Sequence, residues 1–157
     1  MSTEIERKFL VVGNEWKSGT GVPYSQGYLN ADKERTVRVR IAGNKAFLTI
    51  KGMTQGISRA EFEYEIPVAD AEQLLKLCDG PLIQKVRYLV NYKGSLWEVD
   101  EFFGDNAGLV VAEIELESEA QLFERPGWVG KEVSDDIRYF NSSLAKHPFS
   151  QWFALKN

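Results

Sequence analysis

Charged side chains of like sign recur at every second residue along much of this sequence. That spacing places them on one face of a β-strand, because successive strand side chains point to opposite faces. The acidic pairs are Glu4 and Glu6, Glu61 and Glu63, Glu98 and Asp100, and Glu113 and Glu115. The basic residues are Lys8, Arg38, Arg40, Lys51, Lys85 and Arg87. Carboxylates suit divalent cations, whereas guanidinium and ammonium groups suit phosphate oxygens, so together they fit a metal–polyphosphate complex.

An ordinary sheet with its polar side in water is the alternative interpretation of these residues. A solvent-facing side normally mixes Thr, Ser, Lys and Glu, whereas like-charged neighbours on one strand repel by roughly a few tenths of a kcal/mol. The repeated pattern is better explained if each block faces a charge outside the polypeptide. The residues alone leave both interpretations open.

The elements that carry the charged residues are predicted to be strands. Alternating or apolar runs occupy residues 2–12, 24–29, 36–41, 45–51, 61–66, 85–92, 95–102 and 109–117. Gly43-Asn44 and Lys93-Gly94 separate two pairs of these runs, as the turns of β-hairpins do. About eight strands at such short spacing predict a mainly β, α+β fold built as an antiparallel sandwich or barrel.

Short helices are predicted in the gaps between the strands. The first follows a capping-box pattern, Asp70 and Gln73, and ends at Gly80-Pro81. A second, shorter helix is expected to begin at Ser118, which has a glutamine three residues later.

A third helix is predicted near the end of the chain. It runs from about residue 134 to 146, buries Ile137, Phe140 and Leu144, and ends at His147-Pro148. No repeat, linker or low-complexity tract interrupts the chain, so residues 1–157 are expected to form one domain.

Composition limits the class of protein. The chain has 157 residues, of which 27% are charged and 43% hydrophobic, values typical of a globular protein. Its net charge of −4 predicts no broad attraction to nucleic acid or anionic membrane. A single cysteine, Cys78, excludes an internal disulfide and favours a reducing compartment. With neither a signal peptide nor a long apolar run, we expect a cytoplasmic protein.

Other catalytic chemistries lack their residues. The only histidine, His147, precedes a proline at a predicted helix end, and Cys78 lies on an apolar helix face. One histidine and one cysteine do not supply a zinc site, and a thiol nucleophile is not indicated. The sequence also lacks a Walker-type loop and a G-x-S-x-G elbow. Carboxylate and cation chemistry on strands is what remains.

The segment Glu4-Ile5-Glu6-Arg7-Lys8 resembles the E-x-E-x-K signature of the CYTH superfamily, the triphosphate tunnel metalloenzymes. The later charged pairs follow in the order that the family has them. The stretch EVSDDIRYFNSSLA (132–145) is also similar to the short bacterial members. The resemblance extends over nearly the whole chain.

This resemblance implies a fold and an activity. The expected fold is an eight-stranded antiparallel β-barrel that forms a tunnel, with a charged lumen and a few covering helices. The expected activity is hydrolysis of a triphosphate with Mg²⁺ or Mn²⁺, using two ions. The implied partner is a small-molecule triphosphate, with no nucleic acid and no membrane. The apolar outer face would be covered by helices, and a homodimer is one arrangement that the resemblance allows.

The resemblance also assigns roles to single residues. The phosphoryl oxygens would be held by Lys8, Arg38, Arg40, Lys51, Lys85, Arg87 and Arg138. The metal ions would be held by Glu4, Glu6, Glu61, Glu63, Asp100, Glu113 and Glu115. Tyr28 is expected either to pair with Lys8 or to be an aromatic residue at the barrel mouth. The expected catalytic group is Glu4, Glu6, Lys8 and Tyr28.

Inorganic tripolyphosphate, cleaved to pyrophosphate and phosphate, is the first expectation for the substrate. Thiamine or nucleoside triphosphates and an adenylate cyclase activity are alternatives within the family. Cyclase members often carry a His-Phe pair before the signature, where this chain has Met1-Ser2-Thr3. A non-catalytic polyphosphate-binding barrel is a further alternative, but it would have no need of so many carboxylates.

Overall fold

The computed structural model describes residues 3–17 and 19–152, and strands dominate this part of the chain. The strands are β1 (Thr3–Val11), β2 (Val22–Asn30), β3 (Arg35–Ala42), β4 (Lys45–Gly52), β5 (Ser58–Ile66), β6 (Asp79–Tyr92), β7 (Ser95–Phe102), β8 (Val110–Glu115) and β9 (Val129–Glu132). The helices are α1 (Val68–Leu75), α2 (Asn141–Lys146) and α3 (Phe149–Trp152), with 3-10 turns at Gly104–Asn106 and Ile137–Tyr139. Residue 2 of the first predicted strand lies outside the described residues.

The first eight strands close into an antiparallel barrel, which confirms the predicted fold class. Around the barrel the order is β1-β8-β7-β6-β2-β3-β4-β5, and β5 pairs again with β1 where Glu4 lies opposite Arg59. The predicted hairpins β3–β4 and β6–β7 are both formed. The four-residue strand β9 was not predicted, and it extends the sheet beside Phe9 and Val11 of β1.

The outer face of the barrel carries much of the apolar core. Phe9, Trp97 and Ile114 alternate with the charged residues of their strands and pack together with Trp16 and Trp128. The rings of Phe9 and Trp97 meet edge to face at 5.5 Å. Burying this face outside the barrel leaves the charged face for the lumen.

Helix α1 covers another part of the outer face, where Ala71 packs against Val39 and Ala46. The capping-box prediction at Asp70 was wrong, because the helix begins after Pro67, whose φ of −60° suits a helix start. The stop predicted at Gly80-Pro81 was also displaced, since β6 already begins at Asp79.

Helix α2 closes one end of the barrel. At that end Ile83, Phe102 and Val111 lie in a cluster with Leu144 and Ala145 of α2. Leu144 is fully buried, as predicted. These apolar side chains replace the charged ones at this end, so the cavity has an apolar floor.

The last two helix predictions were wrong in extent. Instead of one helix over 134–146, a 3-10 turn is followed by extended backbone at Phe140 (ψ 137°) and then by α2. Ile137 is 56% exposed rather than buried. The helix expected at Ser118 is only a turn, in which the Gln121 N–H donates to the Ser118 carbonyl. None of the helices in the described residues is long and apolar enough to cross a membrane.

Candidate active site

A cavity of about 290 Å³ occupies the interior of the barrel. Thirteen of the fifteen residues that the sequence assigned to a site line it: Glu4, Glu6, Lys8, Tyr28, Arg38, Arg40, Lys51, Glu61, Glu63, Lys85, Arg87, Glu113 and Glu115. Asp100 and Arg138 do not line it.

The register between strands explains why residues so distant in sequence meet here. Side chains directly opposite each other on antiparallel strands share a face. The inward-facing pairs are Glu6 with Glu115, Lys8 with Glu113, Lys51 with Glu61, and Arg87 with Asp100. Each strand therefore delivers its alternate charged residues to the same enclosed space.

Three carboxylates form a compact group on one side of the cavity. Oxygen atoms of Glu4, Glu6 and Glu115 all lie within 4.8 Å of one another. Burial, reinforced by Glu113 and Glu4, raises the pKa of Glu6 well above its usual range. Burial and the neighbouring carboxylates Glu98 and Glu4 raise the pKa of Glu115 to about 7. A group of carboxylate oxygens in which Glu6 and Glu115 form no ion pair within 4 Å in the described residues fits a hard divalent cation.

Glu4 and the other acidic residues of the lining, apart from Glu6 and Glu115, have basic partners. Glu113 lies 3.6 Å from Lys8, and although burial raises its pKa, Lys8 and Arg87 outweigh that effect and hold the pKa well below its usual range. Lys51 Nζ lies 2.8 Å from Glu4 and 3.3 Å from Glu61. These lysines balance part of the negative charge.

Two arginines on β3 face the cavity with unused hydrogen-bonding capacity. Arg38 Nη2 donates to Thr49 Oγ1 at 3.3 Å and lies 3.6 Å from Glu63, but its buried Nε has no hydrogen-bond partner among the described residues. Arg40 Nε donates to Gln26 Oε1 at 2.7 Å. In residues 3–17 and 19–152, Arg40 forms no ion pair with a carboxylate within 4 Å, unlike the other basic residues of the lining.

Asp100 lies behind the cavity and binds two cations of the neighbouring strand. Its carboxylate accepts hydrogen bonds from Lys85 Nζ at 2.7 Å and from Arg87 at 2.8 and 2.9 Å. Burial raises the pKa of Asp100, but Arg87 and Lys85 outweigh burial and lower it to about 2. Both carboxylate oxygens of Asp100 are therefore engaged, and Asp100 acts as a counter-ion to Lys85 and Arg87. It does not line the cavity with the other carboxylates that were predicted to bind metal.

Arg138 lies on the outside of the protein. Its side chain is 61% exposed, forms an ion pair with Asp136 at 2.7 Å and rests on the Trp152 ring. The 3-10 turn that replaces the predicted helix places Arg138 on the surface, so its side chain does not line the cavity.

The predicted pairing of Tyr28 with Lys8 is not formed in the described part of the chain. Lys8 Nζ instead donates to the Tyr139 carbonyl at 3.2 Å and lies 5.3 Å from the Phe140 ring. Tyr28 is buried in the apolar floor of the cavity.

Several residues of the lining were not predicted. Arg59 lies 3.5 Å from Glu4, and Glu98 lies 3.0 Å from Arg87. Glu98 was recognised as half of an acidic pair with Asp100 but was given no role, whereas Arg59 alternates with the predicted Glu61, so the two-residue period contained the signal for both. Tyr24, whose ring lies 4.9 Å from the Arg40 guanidinium, shares a strand face with the predicted Tyr28, so the same period indicated it. Asn141 reaches the lumen from α2, and no local pattern indicated this.

Comparison with known proteins identifies the family of this barrel. The CYTH domain matches residues 2–148. The chain belongs to the CYTH family. A protein named inorganic triphosphatase from Acetivibrio thermocellus is 51% identical to this CYTH chain over 154 residues, which are 97% of this chain and 99% of that protein. A protein of the same name from Nitrosomonas europaea is 40% identical over 147 residues, covering 91% and 97% of the two chains.

A solved structure has the same fold as this CYTH protein. It is described as an inorganic triphosphatase, is 38% identical, covers 92% of this chain and 95% of its own, and superposes with a TM-score of 0.67. The family match confirms the resemblance that was carried by the segment 4–8 and the charged pairs after it.

Proposed function

We propose that this CYTH protein is a metal-dependent inorganic triphosphatase that hydrolyses tripolyphosphate to pyrophosphate and phosphate. One observation carries the proposal. The lumen has an acidic side, formed by Glu4, Glu6 and Glu115, and a basic side that includes Arg38 and Arg40. Glu6 and Glu115 on the acidic side and Arg40 on the basic side form no ion pair within 4 Å in the described residues, and the two sides face one small cavity. A divalent cation bound to a polyphosphate supplies both missing charges.

The basic side would bind the phosphoryl oxygens. Arg38, Arg40 and Arg87 present planar guanidinium groups that suit two-point contacts with phosphate, whereas Lys51 and Lys85 act as compact charges. The buried Nε of Arg38 and the unpaired charge of Arg40 are suited to an anion that enters the lumen. Placing these cations where charge develops during phosphoryl transfer stabilises the transition state without a covalent intermediate.

The acidic side would bind the metal. Glu4, Glu6 and Glu115 would be the principal ligands, with Glu61, Glu63 and Glu113 close enough to orient water or a second ion. When bound, Mg²⁺ or Mn²⁺ would offset the negative charge of the phosphoryl oxygens and lower the pKa of a bound water. Lys51 would hold Glu4 in position through its ion pair, and Lys8 would do the same for Glu113.

Inorganic tripolyphosphate is supported over a nucleotide by two considerations. The relatives at 51% and 40% identity both have the name inorganic triphosphatase. The lining is dominated by charged side chains, which suit an inorganic anion. The Tyr24 ring lies within 5 Å of the guanidinium groups of Arg40 and Arg87, so it is already engaged with these cations rather than open to a nucleobase. Cytoplasmic location, a single domain and a homodimer stay predictions from composition and resemblance.

A phosphate-release screen tests the proposal. Tripolyphosphate, ATP, thiamine triphosphate and pyrophosphate are each assayed with Mg²⁺, with Mn²⁺ and with EDTA. We expect turnover to be fastest with tripolyphosphate and to be lost in EDTA. Undiminished phosphate release in EDTA would refute the metal-dependent mechanism. Cyclic AMP and pyrophosphate as the main products from ATP would favour the cyclase alternative.

A further inference from the structure

Two neutral amide side chains connect α2 to the basic side of the lumen. Asn141 Oδ1 accepts hydrogen bonds from Lys85 Nζ at 3.0 Å and from Gln26 Nε2 at 3.1 Å. Gln26 is fully buried, and its Oε1 accepts from Arg40 Nε at 2.7 Å. A continuous hydrogen-bonded chain therefore runs from Lys85 through Asn141 and Gln26 to Arg40.

The donors at the two ends determine how both amides are oriented. Arginine and lysine side chains only donate hydrogen bonds, so Arg40 must meet the oxygen of Gln26 and Lys85 must meet the oxygen of Asn141. The Gln26 amide nitrogen then has to donate, and Asn141 Oδ1 is in place to accept. The chain has one consistent arrangement, and it fixes the positions of two cations.

The amides fix these cations without adding negative charge. Lys85 and Arg87 already share Asp100, which offsets part of their charge. Arg40 is oriented by its hydrogen bond to Gln26 and by its contact with the Tyr24 ring, and it forms no ion pair with a carboxylate within 4 Å in the described residues. An aspartate at 141 would accept the same two hydrogen bonds as Asn141, whereas a glutamate at 26 would accept from Arg40 but could no longer donate to Asn141. Either carboxylate would weaken the attraction of Arg40 and Lys85 for a polyphosphate.

We propose that Gln26 and Asn141 are positioning residues for the triphosphatase, holding Arg40 and Lys85 toward the phosphoryl groups while leaving the charge of Arg40 uncompensated. This inference rests on the proposed function. It predicts that charge at the two amide positions controls affinity for the anion, whereas their hydrogen bonds control the orientation of the cations.

Asn141→Asp tests the part played by charge with both accepted hydrogen bonds kept, and Gln26→Glu adds the same charge but loses the bond that Gln26 donates. Gln84→Glu is the matched control, because it adds the same charge to β6 beside Lys85 but on the exposed outer face. Calorimetry with tripolyphosphate in EDTA gives Kd without turnover, and phosphate release with Mg²⁺ gives kcat and KM. We expect each lumen variant to raise Kd and KM by about tenfold or more, since an extra like charge opposes the ligand. The control should match the parent.

Gln26→Ala and Asn141→Ala test the part played by orientation. These variants remove an acceptor without adding charge, so kcat should fall while Kd rises less than in the acidic variants. Thermal unfolding of every variant identifies those that are folded at the assay temperature. Asn141 is only partly buried, so Asn141→Asp provides the decisive measurement if Gln26→Glu does not fold.

The outcomes separate this inference from the proposed function. If the parent neither binds nor hydrolyses tripolyphosphate, the proposed function is wrong. If the parent is active but folded Asn141→Asp binds tripolyphosphate as tightly as Gln84→Glu does, the inference is overturned. Equal losses of affinity in the acidic and alanine variants would also overturn it, because the amides would then act only through packing.

Discussion

Replacing Arg40 by methionine is expected to change stability and activity in different ways. Burial, together with the nearby Arg38 and Arg87, lowers the pKa of Arg40 from 12.5 to about 10. That difference corresponds to roughly 3 kcal/mol by which the folded, ligand-free protein disfavours the charge. Methionine removes the charge and keeps most of the buried stem.

The loss of two contacts offsets this gain. The hydrogen bond from Arg40 Nε to Gln26 contributes about 1.5 to 3 kcal/mol because its donor is charged. The guanidinium also lies 4.9 Å from the Tyr24 ring, an interaction that contributes about 0.5 to 1 kcal/mol. We therefore expect the free energy of unfolding to change by no more than about 1 kcal/mol, which is roughly 2–4 °C in Tm for a chain of this size.

Activity should fall much further. Arg40 is proposed to stabilise charge on the phosphoryl group, and losing such a contact reduces kcat/KM on the order of 10²-fold or more. Arg35→Met on the same strand is the matched control, because the Arg35 side chain is 71% exposed. Thermal unfolding in EDTA and phosphate release with Mg²⁺ measure the two effects. A large fall in Tm with parental kcat/KM would show that Arg40 has a structural role and would refute this reasoning.

Three further predictions concern the acidic side of the lumen and the end of the barrel that α2 closes. Glu6→Gln should raise Tm in EDTA by relieving carboxylate repulsion, and should reduce the Tm increase caused by adding Mg²⁺. The pKa of Glu115 is raised to about 7 from 4.5, so the folded state binds its proton more tightly. The stability of the metal-free parent should therefore decrease as pH rises from 4.5 to 7. In EDTA, the Tm of Glu115→Gln should exceed that of the parent by a margin that grows over this pH range. A difference in Tm that stays constant with pH would contradict the raised pKa of Glu115. Leu144→Ala should lower the free energy of unfolding, measured in urea, by about 2–5 kcal/mol, because Leu144 is fully buried at the end of the barrel that α2 closes. A loss below about 1 kcal/mol would contradict this packing.

Much of the site was predictable because strand geometry has a two-residue period. The alternation around Glu4 and Glu6, Arg38 and Arg40, or Glu113 and Glu115 assigned each pair to one strand face before any tertiary information. The turns at Gly43 and Lys93-Gly94 likewise paired neighbouring strands correctly. These features are local, since side-chain direction along a strand depends only on the backbone.

Which face points inward was decided by tertiary structure, because the same alternation also fits a sheet with its polar face in water. Closure of β5 on β1 encloses the charged face, and packing of Phe9 with Trp97 and Trp128 buries the other. Tertiary packing also distinguishes Asp100, held by Lys85 and Arg87, from Glu6 and Glu115, which form no ion pair within 4 Å in the described residues.

The end of the chain shows most clearly which features a local sequence pattern does not determine. The helical pattern over 134–146 correctly indicated that Leu144 is buried, but the extended backbone at Phe140 breaks the helix, exposes Arg138 and starts α2 at Asn141. Asn141 reaches Lys85 and Gln26 only because α2 docks into the end of the closed barrel. Contacts of this kind join residues more than fifty positions apart, and a local sequence pattern contains no information about them.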